Sequence, residues 1–210
     1  PNFYTKIEEI ISIFKKEIKS YFSNRQIFHV FRNNERILLF LIQEKLLKPD
    51  KNMVSSIQKG HYYEANYPQF LYPELKSFFD DKYEPESIDY HSKDFEHKRK
   101  IGENDTPICQ AIRQDSVEEF TATIKNDNIA LDSTIEPSIF ETNFFLKDKK
   151  PTLMEYAAFC GSIEIIKYLI SEKMELTPSL WIYSIHGQKL DLIHLLEENN
   201  VVPEDESYKK

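Results

Sequence analysis

Glycine is scarce in this chain, with four residues among 210, or about 2% against an average near 7%. The four lie far apart, at Gly60, Gly102, Gly161 and Gly187. Loops that cradle phosphate or dinucleotide groups need two or three glycines in a tight cluster. The sequence therefore excludes a P-loop and a dinucleotide-binding loop, together with sandwiches and barrels that turn on many glycines.

Cysteine and long hydrophobic runs are also scarce. The two cysteines, Cys109 and Cys160, cannot form a disulfide framework or a four-cysteine zinc site, and unpaired thiols fit a reducing compartment. The longest apolar run is residues 37–42, far shorter than the ~20 residues that cross a bilayer. We therefore expect an intracellular protein, cytoplasmic or nuclear, without a membrane segment. We also expect the chain, which begins Pro1-Asn2-Phe3, to be a piece of a longer protein.

Residues for chemistry are present without the spacing that chemistry needs. The six histidines form no ligand set with the cysteines, so we expect no metal and no cofactor. Adjacent acidic pairs such as Glu118-Glu119 fall on solvated helix faces, whereas general acid–base work needs buried carboxyl groups with shifted pKa values. We expect no catalytic residues, and an enzyme of unrecognised type ranks third among the possible functions.

Charge is distributed unevenly along the chain. Residues 1–60 carry eleven Lys and Arg against six Asp and Glu, which gives +5. Residues 61–210 carry 16 against 29, which gives −13. The acidic part should repel nucleic acid. Association with nucleic acid through the basic N-terminal part and the basic cluster His97-Lys98-Arg99-Lys100 is therefore the alternative function, not the preferred one.

Periodicity divides the chain into regions. Residues 1–80 are predicted to form a helical N-terminal region, which opens with an amphipathic pattern over residues 3–22. A buried face in a helical bundle is the preferred interpretation of that pattern, and a membrane-surface helix is the alternative. Residues 81–105 are charged and predicted to be a linker. Residues 106–202 contain repeats, and residues 203–210 form a tail.

The C-terminal half is self-similar. Three units cover residues 106–125, 152–172 and 177–199, separated first by an insert at residues 126–150. The first two units align at Thr106 with Thr152, Ala111 with Ala157, and Ser116 with Ser162. The third unit matches the second at an offset of 27, with a one-residue slip near Gly187. A single hairpin of this kind cannot bury its apolar face alone, but stacked neighbours can.

Each unit carries signals for two helices. Thr106-Pro107 and Thr177-Pro178 place a capping hydroxyl before a proline at the first helical position. Thr152 and Glu155 form a capping-box pattern. Gly161 and Gly187 are predicted to separate the first helix of a unit from the second. The sequence thus predicts an all-α fold in which helical hairpins stack into a solenoid behind the helical N-terminal region.

The residues from Thr152 to Ile170, with Ala157-Ala158, Gly161 and Glu164, resemble the ankyrin-repeat consensus. Residues 98–105, 136–143 and 155–187 resemble more closely a large family of ankyrin-repeat proteins in parasitic protists, which carry a helical N-terminal domain of unknown function. The resemblance implies a non-catalytic scaffold that binds other proteins, within a longer array that continues past Lys210. The unusual spacings of 46 and 27 between Thr106, Thr152 and Ser179 put a binding mode based on finger-like loops in doubt.

Aromatic residues are the candidate contacts for an unidentified protein partner. Phenylalanines in the insert near Lys147, Lys149 and Lys150 could form an apolar anchor with a basic rim, or could fold back onto neighbouring helices. The second interpretation is preferred, because three exposed phenylalanines favour aggregation. Two further aromatics flank a repeat helix and could either anchor a partner or be buried. The candidate partner-binding residues are Phe140, Phe144, Phe145, Trp181 and Tyr183.

Overall fold

The structure is a computed structural model that describes residues 3–59, 67–79, 88–147 and 149–204. Over these ranges the chain is helical, with one isolated antiparallel bridge between Thr134 and Thr152, and the all-α prediction is confirmed. The chain divides into two compact units. The first unit comprises Pro1–Glu103 and Ile139–Asp148, and the second comprises Asn104–Ser138 and Lys149–Lys210.

The helices are short throughout the described residues. Those of the N-terminal half are α1 (Phe3–Ile13), α2 (Lys15–Tyr21), α3 (Asn24–Phe31), α4 (Glu35–Gln43), α5 (Lys51–Lys59), α6 (Tyr67–Phe70), α7 (Tyr72–Leu75) and α8 (Lys93–Ile101). A 3-10 turn, Lys76–Phe78, follows α7. The C-terminal half contains α9 (Pro107–Arg113), α10 (Val117–Asn126), α11 (Phe144–Lys147), α12 (Leu153–Cys160), α13 (Ile163–Ser171), α14 (Leu180–Gly187) and α15 (Leu190–Glu198). Helix α11 belongs to the first unit.

The N-terminal amphipathic pattern differs from its prediction in two ways. The helix over residues 3–22 is interrupted at Phe14, whose backbone angles (φ −93°, ψ 19°) leave the helical region. Of the face predicted to be buried, Ile11 is buried, and Ile7 and Ile18 are partly buried against the core of the first unit. Ile10, Phe14 and Tyr21 remain 55%, 52% and 78% exposed. The apolar stripe is wider than the surface that covers it.

Helix α8 corrects the prediction that residues 81–105 form a linker. Ser92 caps its first turn by accepting a hydrogen bond from the Phe95 amide (3.0 Å), and Gly102 ends it with a left-handed φ of +70°. The sequence shows no apolar periodicity for α8, because the helix buries only two side chains. They are Phe95 and the charged Arg99. Residues 80–87 lie outside the described part of the chain.

The core of the first unit is mainly apolar, but it also contains buried charged side chains. Leu38, Leu41, Phe70, Leu71 and Leu75 are fully buried. Arg99 is 3% exposed, donates to the Phe70 carbonyl (3.0 Å) and to a Glu74 carboxylate oxygen (2.7 Å), and lies 4.8 Å from the Phe95 ring centroid. A guanidinium can take this position because Nη1 donates to two oxygens while the plane packs on aromatic rings, although the buried Nε has no hydrogen-bond partner.

Residues 139–148 close the first unit, although they follow its other part by more than thirty residues. Thr142 is 1% exposed; its carbonyl accepts from the Tyr4 hydroxyl (2.9 Å), and its own hydroxyl donates to the Gly102 carbonyl (2.8 Å). Lys147 forms an ion pair with the buried Glu35. The predicted insert at residues 126–150 is therefore shared between the two units.

The second unit contains three hairpins: α9 with α10, α12 with α13, and α14 with α15. The first helices pack in series, α9 against α12 and α12 against α14, and α10 packs against α13. Small side chains allow the close approach at one equivalent position of each first helix, where Ala111, Ala157 and Ser184 are at most 1% exposed.

The hairpins keep one register. The residue with positive φ after each first helix is Asp115, Gly161 and Gln188, at spacings of 46 and 27. The predicted slip at Gly187 is therefore wrong. Glycine is needed at position 187 for another reason, because a Cβ there would lie 2.1 Å from the Phe159 carbonyl oxygen.

The caps of the hairpins match the sequence only in part. Thr152 and Glu155 form the predicted capping box, with both reciprocal hydrogen bonds present. Thr177 does not cap a helix as predicted: α14 starts at Leu180 with Ser179 at its N-cap, and the Thr177 hydroxyl lies 2.8 Å from that of Ser179. Proline at position 178 is compatible with the turn before the helix, and so it did not mark the first helical residue.

Candidate functional site

The three phenylalanines of the insert have different environments. Phe140 and Phe145 are 7% and 6% exposed, whereas Phe144 is 71% exposed. Phe140 packs edge-on against Phe95 in the first unit, with ring centroids 5.5 Å apart. Two of the three candidate contacts therefore have core positions, and Phe144 is the one placed where a partner could reach it.

The turn before α11 explains this alternation. The Asn143 side chain accepts a hydrogen bond from the Phe145 amide (2.9 Å), which starts the short helix and directs consecutive side chains to different faces. Lys147, predicted as part of a basic rim, is instead paired with Glu35. Lys149 and Lys150 are exposed but belong to the second unit.

Trp181 and Tyr183 are each 6% exposed. The Trp181 indole N–H donates to the Val201 carbonyl (2.9 Å), which ties the segment after α15 to α14. Burial, with a smaller contribution from the Glu155 carboxylate, raises the pKa of Tyr183 to about 12. Both rings have positions in the packed interior of the second unit, and their partner-binding role stays a prediction.

One face of the second unit brings together residues that the sequence reasoning missed. Arg113, Phe159 and His186 occupy the same position of the three first helices, at spacings of 46 and 27. All three are partly exposed. We call these three residues the first-helix row. The register of the repeats aligns these three residues. The predicted one-residue slip at Gly187 would have placed a different residue than His186 in the row.

Buried tyrosines precede two of the three members of the first-helix row by about one helical turn. Three residues before each member lie Gln110, Tyr156 and Tyr183, of which the two tyrosines are buried. The Arg113 guanidinium donates to the Tyr156 hydroxyl (2.8 Å), which orients the arginine side chain along the face. An oriented guanidinium beside a partly exposed aromatic ring can bind a carboxylate and an apolar side chain of another protein.

The electrostatics of the row are set by its surroundings. Burial and, to a smaller extent, the positive charge of Lys149 lower the pKa of His186. The imidazole is therefore neutral at pH 7 and able both to donate and to accept a hydrogen bond. The row thus combines one permanent positive charge, one aromatic ring and one neutral polar ring.

Two polar contacts hold neighbouring hairpins together behind this face. Both carboxylate oxygens of Asp115 accept from amides at the start of α13, those of Glu164 (3.1 Å) and Ile165 (3.0 Å). The Ser162 hydroxyl donates to the Ile112 carbonyl (2.5 Å) and therefore does not cap its own helix. The first hairpin thus supplies the cap for the second, which fixes how the two stack.

The basic cluster behind the nucleic-acid alternative is broken up by the fold. Arg99 is buried against Glu74, and the Lys98 ammonium forms an ion pair with Asp94 (2.8 Å) and lies 5.7 Å from the Phe140 ring centroid. A helix separates consecutive side chains around its axis, so the run His97 to Lys100 presents no single basic face.

The described residues offer neither a metal site nor a membrane span. Among these residues, no three His, Cys, Asp or Glu side chains come together in a way that could hold a metal ion. None of the helices there has the length and apolar content to cross a bilayer.

Comparisons of the chain with protein-family models, with curated proteins and with solved structures gave no match.

Proposed function

We propose that this chain is a non-catalytic protein-interaction scaffold built on degenerate ankyrin-type repeats. The first-helix row carries the proposal. Repeats that keep one register place equivalent residues side by side, and such rows form the binding surfaces of solenoid proteins. Arg113, Phe159 and His186 form such a row with chemistry suited to a protein surface.

The local geometry of the hairpins supports the ankyrin-type assignment. The best repeat has a capping box at Thr152, a left-handed Gly161 (φ +77°) after its first helix, and two helices of eight and nine residues. The long connection between α10 and α12 ends in an antiparallel bridge, where the Ile135 amide donates to the Pro151 carbonyl (2.7 Å). The resemblance found in the sequence supports the same assignment.

The connection between α13 and α14 is the main departure from an ordinary repeat. It is too short for a finger-like loop, since Ser171 ends one helix and Leu180 starts the next. Binding by finger tips would therefore rest on the first connection alone. We place recognition on the first-helix row instead.

A titration against captured partners tests the proposal. Proteins that the full chain captures under native conditions are purified and titrated individually. We expect Arg113→Ala combined with Phe159→Ala to raise the dissociation constant of a direct partner about tenfold or more, as truncation of interface anchors does. The matched control combines Glu164→Ala with Lys167→Ala, an exposed ion pair on α13. Unchanged binding by the row variant, or equal weakening by the control, would contradict the proposal.

The nucleic-acid alternative can be tested on the same preparations. Binding through phosphate neutralisation weakens steeply as salt rises, whereas we expect no measurable affinity for duplex or single-stranded DNA at physiological salt. An affinity that falls steeply with salt would favour the alternative.

A further inference from the structure

Exposed apolar side chains are concentrated at the N-terminal end of the first unit. Over the described ranges, ten large hydrophobic residues are strongly exposed, and six of them fall within residues 10–30. Four belong to the helical segment of α1 and α2: Ile10 (55%), Ile13 (73%), Phe14 (52%) and Tyr21 (78%). Single exposed hydrophobic residues need no explanation, but a cluster of this kind marks a contact surface.

These side chains lie along one face. Two backbone hydrogen bonds join the two helices at Phe14, whose amide donates to the Ile10 carbonyl (3.1 Å) and whose carbonyl accepts from the Ile18 amide (2.9 Å). Residues three and four apart therefore remain neighbours on the surface. We call the face the α1–α2 stripe; its members are Lys6, Ile10, Ile13, Phe14, Glu17 and Tyr21.

The stripe is complementary to itself. From Lys6 through Ile10 and Ile13 to Glu17 the spacings are four, three and four residues, the same in both directions. An antiparallel copy turned about an axis between residues 11 and 12 would set Lys6 against Glu17, and Ile10 against Ile13. Both charges are exposed and lie about 16 Å apart along the helix, one at each end of the isoleucine pair.

We propose that the α1–α2 stripe pairs with the same stripe of a second copy of this chain, in antiparallel orientation. The interface is isologous: two Lys6–Glu17 ion pairs flank a centre of four isoleucines, with Phe14 beside it. Because the apolar centre is small, the dimer is weak and depends on protein concentration.

Charge argues for a protein copy over an anionic membrane. Glu17 lies within the stripe itself, where it would be repelled by acidic lipid headgroups. A membrane-binding helix carries Lys and Arg on its polar face and large apolar side chains on the other face. The acidic Glu17, among the apolar side chains Ile13 and Tyr21, departs from that arrangement.

The test is sedimentation equilibrium of the full chain, from about 1 µM to about 1 mM. We expect a monomer–dimer equilibrium. Lys6→Glu or Glu17→Lys alone places like charges opposite each other twice in the dimer, and each should raise the dissociation constant about tenfold. The combined exchange restores opposite charges and should return the constant to within about threefold of the original. Mixing the two single variants should give a heterodimer, since both of its pairs are attractive.

Matched variants distinguish the effect of the charges that face each other in the dimer from the effect of a change in net charge. Lys19→Glu makes the same change of charge as Lys6→Glu on the other side of the helix, and it should leave the dissociation constant within about threefold of the original. Ile10→Ser combined with Ile13→Ser should abolish the dimer. All of these side chains are exposed, so far-ultraviolet circular dichroism should show an unchanged fold.

Several results would overturn the proposal. A chain that stays monomeric throughout, or a dimer that survives loss of both isoleucines, is incompatible with it. Failure of the combined exchange to restore the dimer, or an equal effect of Lys19→Glu, refutes the Lys6–Glu17 pairing. Binding of the monomer to phosphatidylserine vesicles, lost with the two isoleucines, assigns the stripe to a membrane instead.

Discussion

The two units of this chain bury the apolar faces of their short helices in different ways. The second unit repeats one hairpin three times, so most of its contacts join neighbouring helices and one register serves all of them. The first unit has no such register. It depends on contacts between residues far apart in sequence, such as the Tyr4 hydroxyl with the Thr142 carbonyl, and on buried ion pairs. A repeat can therefore be predicted from local sequence signals, whereas an irregular bundle cannot.

The two units should be destabilised by substitutions at different kinds of position. A repeat is sensitive at the small residues and caps that set the spacing of its hairpins. An irregular unit closed by a distant segment is sensitive at that segment. The following variants test this difference, with Trp181, the one tryptophan of the chain, reporting on the second unit.

The largest effect is expected at the closing segment of the first unit. Phe145→Ser should lower the free energy of unfolding by about 3–5 kcal/mol, because a buried ring is lost and a hydroxyl enters its place. Phe144→Ser, one residue earlier and 71% exposed, should change it by less than about 0.5 kcal/mol. Urea unfolding followed by circular dichroism measures both, and equal effects would contradict the assigned orientation of α11.

Removal of the lysine that pairs with the buried Glu35 should cost nearly as much. Lys147→Met leaves the Glu35 carboxylate buried without its cation, which should reduce stability by about 3 kcal/mol. Adding Glu35→Leu removes the stranded charge and should recover most of that loss. Lys150→Met, an exposed neighbour in sequence, serves as the control. A silent Lys147→Met would show that this ion pair does not hold the segment in place.

An intermediate effect is expected where the hairpins approach most closely. Ala157→Leu overfills the fully buried contact between α12 and its neighbours and should cost about 1–3 kcal/mol. Lys167→Ala on the exposed side of α13 should cost less than about 0.5 kcal/mol. The midpoint of urea unfolding, read from Trp181 fluorescence, separates them. Two silent variants would show that the stacking register is wrong.

A smaller effect is expected at the cap that one hairpin supplies to the next. Asp115→Asn keeps a side-chain acceptor and the left-handed backbone at this position, but it removes the charge that faces the start of α13. We expect a loss of about 0.5 kcal/mol, and of about 1 kcal/mol for Asp115→Ala. Asp127→Ala, at the exposed end of α10, is the control. Equal losses of stability for Asp115→Ala and its control would show that the Asp115 cap does not stabilise the stacking of the two hairpins.

The smallest effect is a dependence of stability on pH in the second unit. Because burial lowers the pKa of His186 below its usual 6.5, the unfolded chain binds a proton more readily than the folded chain. This contribution is present above pH 6.5 and is lost as the pH falls through the lowered value. His186→Gln should flatten the dependence of the urea midpoint in that window. An unchanged slope would show that another group controls it.

The local signals in the sequence were sufficient for much of the second unit. The capping box at Thr152 and the left-handed Gly161 lie where the sequence predicted them. Such features depend on residues three to nine positions apart, so they can be recognised in the sequence without knowledge of the tertiary structure. The same reasoning failed at Thr177, because a hydroxyl before a proline marks a turn as well as a helix start.

The candidate site was only partly predictable. The aromatic residues were identifiable, but their exposure was not: Phe144 and Phe145 are adjacent and alike in chemistry, and a single turn bonded to Asn143 separates them. The first-helix row was implicit in the repeat register, and the mistaken slip near Gly187 concealed His186. An error of one residue moves a side chain about 100° around a helix, which is enough to lose a face.

The all-α class, the succession of hairpins and the capping box at Thr152 could be predicted from the sequence, because periodicity and capping act within a few residues. Three features depend on the tertiary structure: Arg99 is buried, residues 139–148 complete the first unit, and the α1–α2 stripe stays exposed. Each of these depends on which distant surface is available to cover a side chain. A local pattern records how apolar a face is, but not whether anything packs against it.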